Sequence, residues 1–389
     1  MTHGERAEVV RLDVEGRVRA AVKAALEEVM EEEMDAHLAA RHRERTEGRR
    51  GYRNGHYQRG LLTAVGQIEQ LQVPRDREGE FLTEAFENYR RMTGSLEEAI
   101  LEMFLQGVST RKVAAITDGL TKVKVGKDSV SRITARLEDE VAAWRSSPLT
   151  VAYPYVYLDA TYLKVNWGGR VGELALLVAL GVNEQGYREV LAVEAAGGER
   201  KEAYQRLLRG LLDRGLRGVK LVISDAHESI KAAVGTELPG AKWQRCVVHF
   251  ERNILSHVPR QECKEVAADL GAIFAVSREE TALGLAVAFS DRWRKRFPSA
   301  VKVFERGLDA ALTYLQFPTS HHRLIRNTNL LERLNRETKR RTRVVGVFPN
   351  EKSALNLSTV VMLRATEDWS LRKYLDMAPL EAMEANTQD

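Results

Sequence analysis

The strongest constraint on the fold is a succession of apolar, β-branched runs in the middle of the chain, two of which lead into aspartates. Residues 155–165, 173–182 and 187–194 read as three successive strands joined by glycine-containing turns. A helical pattern over 201–212 follows, then a strand at 219–224, a helix after His227 and a strand near 243–248. Within the first run, alternation of period two sets Tyr155, Tyr157, Asp159 and Thr161 on one face and Val156, Leu158 and Ala160 on the other. A carboxylate in so apolar a strand is either functional or costly to bury. Asp225 closes the run at 219–224. Taken alone it reads as a helix N-cap, a common position for Asp where a strand turns into a helix.

Three strands, a helix, a strand, a helix and a strand make the order of an RNase H-like core. A third acidic residue, Glu332, lies on a helical pattern that sets Asn329, Glu332, Arg336 and Lys339 on one side and leaves Leu330, Leu331 and Leu334 for the core. Its plain reading is an i,i+4 pair with Arg336. Glu337 is the rival carboxylate, off that face. Phosphodiester chemistry with two metal ions requires several carboxylates converging on ions roughly 3.5–4 Å apart. Asp159, Asp225 and Glu332 together favour that role over the separate structural ones. The run Arg336, Lys339, Arg340, Arg341 and Arg343 adjoins the glutamate and suits a DNA phosphate, or is a solvated basic helix end.

At 389 residues the chain exceeds one ordinary domain. Its 44% hydrophobic and 29% charged residues are a globular composition, and a net charge of +4 permits a polyanion partner without requiring one. No secretory layout is visible at the N-terminus, and no uncharged apolar run approaches the roughly 20 residues of a membrane span. A cytosolic protein with no membrane partner is expected. The two cysteines, Cys246 and Cys263, fit a reducing compartment.

Ahead of the strands, Val18, Val22, Leu26, Val29, Met30, Met34 and Leu38 recur at helical spacing and predict an amphipathic helix for a bundle or a dimer seam. Residues 41–59 carry seven arginines against two glutamates, with glycines and tyrosines interleaved, and predict a basic loop that can follow a phosphate backbone, or else a solvated charged loop. A hairpin is expected over 61–73 around Gly66. Helices then fill 95–140, starting with the capping pattern Ser95 to Glu98. The stretch from Gly107 and the one from Lys127 resemble a helix-turn-helix, whose second helix presents Lys127, Ser129, Ser131, Arg132 and Arg136 to a major groove. A helical hairpin without a DNA role has the same pattern. Residues 250–325 are helical in texture.

From about residue 50 to 365 the chain resembles bacterial insertion-sequence transposases of the Mutator-like family. The resemblance rests on six ordered stretches: those beginning at Val73, Gly107, Tyr157, Ser224 and Trp243, and the one from Thr328 through Arg340 to Pro349. It implies an α/β fold: an RNase H-like catalytic core with an all-helical insertion, preceded by a mainly helical DNA-binding region containing the helix-turn-helix. The implied divisions are 1–60, 61–147, 148–255, 256–325 and 326–389. Asp159, Asp225 and Glu332 become a DDE triad holding two Mg2+ or Mn2+ ions, with Cys246 and His249 as the family's supporting Cys-x-x-His pair. DNA contacts are expected from Lys127, Arg132, Arg136, Arg336, Arg340 and Arg341. The implied activity is binding of terminal inverted repeats in double-stranded DNA, strand cleavage and transfer to target DNA, by a homodimer or higher oligomer in the cytoplasm at the nucleoid. A DNA-binding regulator or a nuclease derived from a transposase is the alternative. Two positions depart from the pattern: Asn327 precedes Thr328 where a threonine is usual, and Phe304 stands where a second tryptophan after Trp293 is expected. Cys246, His249, His257 and Cys263 also invite a zinc reading, but their spacing matches no standard finger.

Overall fold

The computed structural model describes residues 3–44, 46, 48–83, 85, 94–105, 110–121, 137–343 and 345–388. The chain divides into two compact units, Met1–Arg136 and Leu137–Asp389.

The first unit opens with α1 (His3–Leu38), followed by β1 (Arg53–Thr63) and β2 (Gly66–Asp76), which pair antiparallel. A lone hairpin is marginal unless its apolar face is covered. Here Leu61, Ile68, Leu71 and Val73 close on Met30 of α1, with Val22 and Leu26 packed against the same cluster. The stripe expected to form a dimer seam is therefore largely covered by the chain's own hairpin, while Val14, Val18 and Val29 stay exposed. The basic segment also departs from expectation, because from Arg53 onward it is strand. Arg53 donates to Glu31 at 2.5 Å and to Asp35, and His56 Nε2 lies 2.5 Å from Glu31. These groups clamp the hairpin to the acidic middle of α1. Arg49 donates to the carbonyls of Gly51 and Glu44. Two further helices, α2 (Gly94–Leu105) and α3 (Thr110–Thr121), gather Leu96, Ile100 and Val113 around Leu62. The expected recognition helix, with Lys127, Ser129, Ser131, Arg132 and Arg136, lies outside the described residues.

The second unit begins with α4 (Leu137–Ser146) and builds one five-stranded sheet from β3 (Tyr155–Trp167), β4 (Arg170–Val182), β5 (Arg188–Ala196), β6 (Leu221–Ser224) and β7 (Lys242–Arg245). The strand order is β5-β4-β3-β6-β7. The first three strands form an antiparallel meander, whereas β6 and β7 run parallel to β3. Parallel neighbours require crossovers, supplied by α5 (Lys201–Asp213) and α6 (Glu228–Glu237). Gly168 and Gly169, at φ of 59° and 99°, form the two-residue turn between β3 and β4, where successive left-handed residues match the strand twist.

The last strand stops at Arg245 rather than near 248, because Cys246 is the N-cap of α7 (Val247–Leu255) and buried Val247 belongs to that helix. The chain then stays helical through α8 (Cys263–Ala275), α9 (Glu279–Trp293), α10 (Pro298–Leu312) and α11 (His322–Ile325). It continues into α12 (Asn329–Thr342), α13 (Glu351–Arg364) and α14 (Ala378–Gln388). Phe304 is fully buried, 4.5 Å from Phe289 and 6.2 Å from Phe250 between ring centroids. Gln244 ties this helical region to the sheet by donating to the Ala311 carbonyl at 2.9 Å and accepting from the Tyr314 N–H at 2.7 Å.

Both sheet faces are covered, so β4 reads as one apolar run from Leu174 to Val182. On one face Val156, Leu158, Leu177 and Val222 meet Leu207, Leu211, Ile230 and Val234 of the crossover helices. On the other, the Tyr155 hydroxyl lies 2.7 Å from His321 Nδ1 and the Tyr157 hydroxyl donates to the Leu324 carbonyl. The alternation expected for β3 holds. Among the described residues no helix is long and apolar enough to cross a membrane.

The turn between β4 and β5 anchors the C-terminal segment: the Gly186 carbonyl accepts from the N–H groups of Tyr374 and Leu375. Gly186 has φ of 89°, and a Cβ there would lie 1.9 Å from the Leu375 carbonyl oxygen. Gly186→Ala is expected to cost at least about 2 kcal/mol, from the left-handed backbone and the clash together. Thermal denaturation checks this, and an unchanged melting temperature would refute it.

Candidate active site

The position of Asp159 follows from strand register. Tyr155, Val156 and Tyr157 pair with Leu221, Val222 and Ile223 across the parallel β3–β6 contact. Continuing that register by two residues brings Asp159 level with Asp225. Their proximity is electrostatic as well as topological: burial, with added repulsion from Asp225 and Glu199, pushes the Asp159 carboxyl up to about 6. The Ala160 N–H and nearby His249 oppose the rise. One oxygen, Oδ2, accepts a 2.8 Å hydrogen bond from Asn335 Nδ2.

Asp225 is partly buried just beyond β6. Its Oδ1 accepts from the His227 N–H at 3.3 Å, but the N-cap of α6 is His227 itself. Asp225 is thus not the helix cap that its setting suggests. The Arg245 guanidinium lies over the Phe250 ring at 4.2 Å, and burial lowers its pKa against the attraction of Asp225.

Glu332 sits in the first turn of α12, and its ion-pair partner is not Arg336, which is exposed, but His249 Nε2 at 3.1 Å. The Cys-x-x-His spacing explains the rest of this junction. Cys246 caps α7, and His249 lies one turn into the same helix, so sulfur and imidazole are neighbours. The sulfur accepts from both the N–H and the hydroxyl of Thr328 at 3.3 Å, and Thr328 is the N-cap of α12. His249 Nδ1 is buried and lacks an aligned hydrogen-bond partner. The adjacent sulfur and the Glu332 charge nevertheless raise the His249 pKa, against the lowering effect of burial. Burial would push the Cys246 thiol up, but the neighbouring His249 and the Thr328 donors outweigh it and hold the thiol below its usual value.

The zinc alternative is not assembled: Cys263 is turned to the carbonyls of Leu255, Val258 and Pro259. Among the described residues, no three His, Cys, Asp or Glu side chains stand close enough to hold one ion as they are oriented. Asp159 and Asp225 interact, while Glu332 is engaged with His249. Glu337 is bound to Arg340 at 2.7 Å and to Arg341 at 3.0 Å, which hold its carboxyl down at about 2. Those two arginines are thus committed to Glu337, whereas Arg336 and Lys339 are exposed.

Two neighbours of Asp159 escaped the sequence reading. Asn335 occupies a core-facing position of α12, and a polar residue inside that apolar period was the available signal. Glu199 is held by the hydroxyls of Tyr162 and Tyr204 at 2.7 and 2.9 Å. It precedes α5 in a glycine-containing stretch whose pattern carries no such signal.

The raised Asp159 pKa makes a prediction whose sign is fixed. A carboxyl at about 6 when folded, against an ordinary 3.8, contributes stability that is present below about pH 4 and lost as pH rises through about 6. Without divalent ions, Asp159→Asn is expected to stabilise the protein at about pH 8 by on the order of 2–3 kcal/mol. The gap should narrow as pH falls through 6. Thermal melts across that range check it, and a pH-independent gap would exclude the titration.

The sequence model for the Mutator family of transposases matches residues 2–371. The transposase for insertion sequence element ISRM5 of Rhizobium meliloti is 41% identical over 338 residues, covering 87% of this chain and 85% of the relative. The transposase for element IS406 of Burkholderia multivorans is 39% identical, covering 86% and 87%. The transposase for element IS256 in transposon Tn4001 of Staphylococcus aureus is 37% identical, covering 86% of each chain. With this likeness running nearly its whole length, the chain belongs to the Mutator family of transposases.

Proposed function

We propose that the protein is an active DDE transposase that binds the terminal inverted repeats of its insertion sequence, cuts a DNA strand and joins the freed 3′ end to target DNA. The second unit is read as an RNase H-like core interrupted by the all-helical region between β7 and α12. Its strand order and directions support that reading. The region before residue 148 is assigned to DNA recognition, with Lys127, Arg132 and Arg136 as groove-facing residues. A homodimer or higher oligomer at the nucleoid would bring two ends together.

The observation that carries the proposal is the juxtaposition of Asp159, within β3, and Asp225, just past the end of the parallel neighbour β6, beside a helix that presents Glu332. The donor set fits Mg2+ or Mn2+, which prefer carboxylate oxygens. Asp159 is consistent with a site built for positive charge, since burial and acidic neighbours raise its pKa. Asp159, Asp225 and Glu332 are the residues that would hold two such ions. Bound there, the ions would activate the attacking oxygen and stabilise the leaving one in an in-line displacement. The protein's part is placement: the sheet fixes both aspartates, and His249 orients Glu332 until the site is loaded. Arg336 is positioned on the same helix to meet a phosphate.

Full-length protein with duplexes bearing the element's own ends tests this in the presence of Mg2+. Asp159→Asn, Asp225→Asn and Glu332→Gln should each reduce cleavage and joining by at least about a thousandfold while DNA binding survives. Glu337→Gln should remain near wild type, because that carboxylate serves Arg340 and Arg341. Binding without cleavage by the wild type would favour the regulator, and cleavage without joining the nuclease. Near-normal Glu332→Gln with inactive Glu337→Gln would reassign the triad.

A further inference from the structure

Asn335 is 7% exposed and lies one turn beyond Glu332 on α12, on the buried side that also carries Leu331, Leu334 and Thr338. An amide there is costly unless bonded, and an apolar side chain would fill the space at no such cost. Its bonding is unusual in two ways. The single donor bond runs to Asp159 Oδ2 at 2.8 Å, across 176 residues of sequence. Its buried Oδ1 has no protein partner. A residue chosen only to stabilise the helix–sheet contact would not leave half its amide unsatisfied.

We infer that Asn335 is a positioning residue of the active site: its amide fixes the orientation of the Asp159 carboxylate and docks the glutamate helix onto β3 at that point, so that Asp159 and Glu332 hold one geometry. This rests on the reading of Asp159 and Glu332 as cation ligands. With the amide on Oδ2 and the Ala160 N–H on the same carboxyl, Asp159 is oriented and keeps lone pairs for a cation. Glu332, one helical turn from the same amide, is held at its other side by His249. Partners that orient a ligand without touching the ion typically account for 10–100-fold in metal affinity or activity.

The test uses the full chain with Asn335→Leu, which keeps the volume but removes the donor, and Asn335→Ala, which takes its place if the leucine variant fails to fold. Mn2+ alone is titrated by calorimetry, the Mg2+ concentration giving half-maximal cleavage is measured separately, and thermal melts report folding. The expected result is a Kd for Mn2+ raised roughly tenfold or more and a matching rise in the Mg2+ midpoint, with Asn335→Leu melting at or above the wild type. Equal Mn2+ affinity and equal Mg2+ midpoints in folded variants and wild type would overturn the inference alone and leave Asn335 a packing residue. A wild type that binds no Mn2+, or an Asp159→Asn variant that binds it as tightly as wild type, would overturn the underlying site reading and this inference with it.

Discussion

The parallel contact between β3 and β6 is the interaction on which the rest of the second unit depends. It brings two carboxylates level in the middle of the sheet, where β6 ends beside β3, and the molecule must then tolerate like charges in a partly dry setting. Backbone hydrogen bonds make that tolerable on one side, because Asp159 is paired with Val178 of β4 and cannot retreat without breaking the ladder, while Asp225 follows directly on β6. The stiffness comes from outside the pair. β4 is buried along most of its length, β5 backs it, and the crossover helices press Leu207, Leu211 and Ile230 onto the opposite face. The burial that raises the Asp159 carboxyl, with added repulsion from Asp225 and Glu199, is a standing preference for positive charge beside it.

Glu332 reaches the same region by a different route, since it arrives on a helix after the long all-helical stretch. Helices carry no register with a sheet, so the glutamate needs local attachment. Two contacts provide it. At the N-terminus of α12, Thr328 bonds to the Cys246 sulfur, joining the cap of one helix to the cap of another. One turn beyond Glu332, Asn335 bonds to Asp159. The glutamate therefore lies between two fixed points, with His249 holding its carboxylate from the side. The Cys-x-x-His spacing makes this compact: one turn of α7 supplies both the sulfur that pins the helix and the imidazole that faces the glutamate.

Much of this was legible in the sequence because its signals are periodic. A strand covered on both faces appears as an unbroken apolar run, as in β4, and one that offers different neighbours on its two sides alternates, as in β3. The carboxylates of Asp159 and Asp225 stood out against those runs. What escaped were pairings between distant segments. Arg53 and His56 looked like loop cations available to DNA, but their partners Glu31 and Asp35 lie on α1. The stripe of α1 was visible, whereas its covering hairpin was not. Periodicity identifies a face and does not say which other face meets it. Asn335 was missed for the complementary reason: a single polar residue in an apolar period says little until its partner, Asp159, is found across the fold.

The same distinction bears on the basic run after Glu332. Counted as sequence, Arg336, Lys339, Arg340, Arg341 and Arg343 form one block of positive charge. In the folded protein Glu337 takes two of them, and because the three residues share one helical turn that neutralisation is local and geometrically favourable. Arg340 and Arg341 can turn to a phosphate only by giving up a carboxylate already in place, so their gain on binding is a difference between two ion pairs. Arg336 has no such ion pair among the described residues, and helical spacing sets it on the side of α12 that carries Glu332. The block therefore divides by partner: Arg340 and Arg341 are bonded to Glu337 within the helix, and Arg336 is the cation that the proposed function turns to DNA.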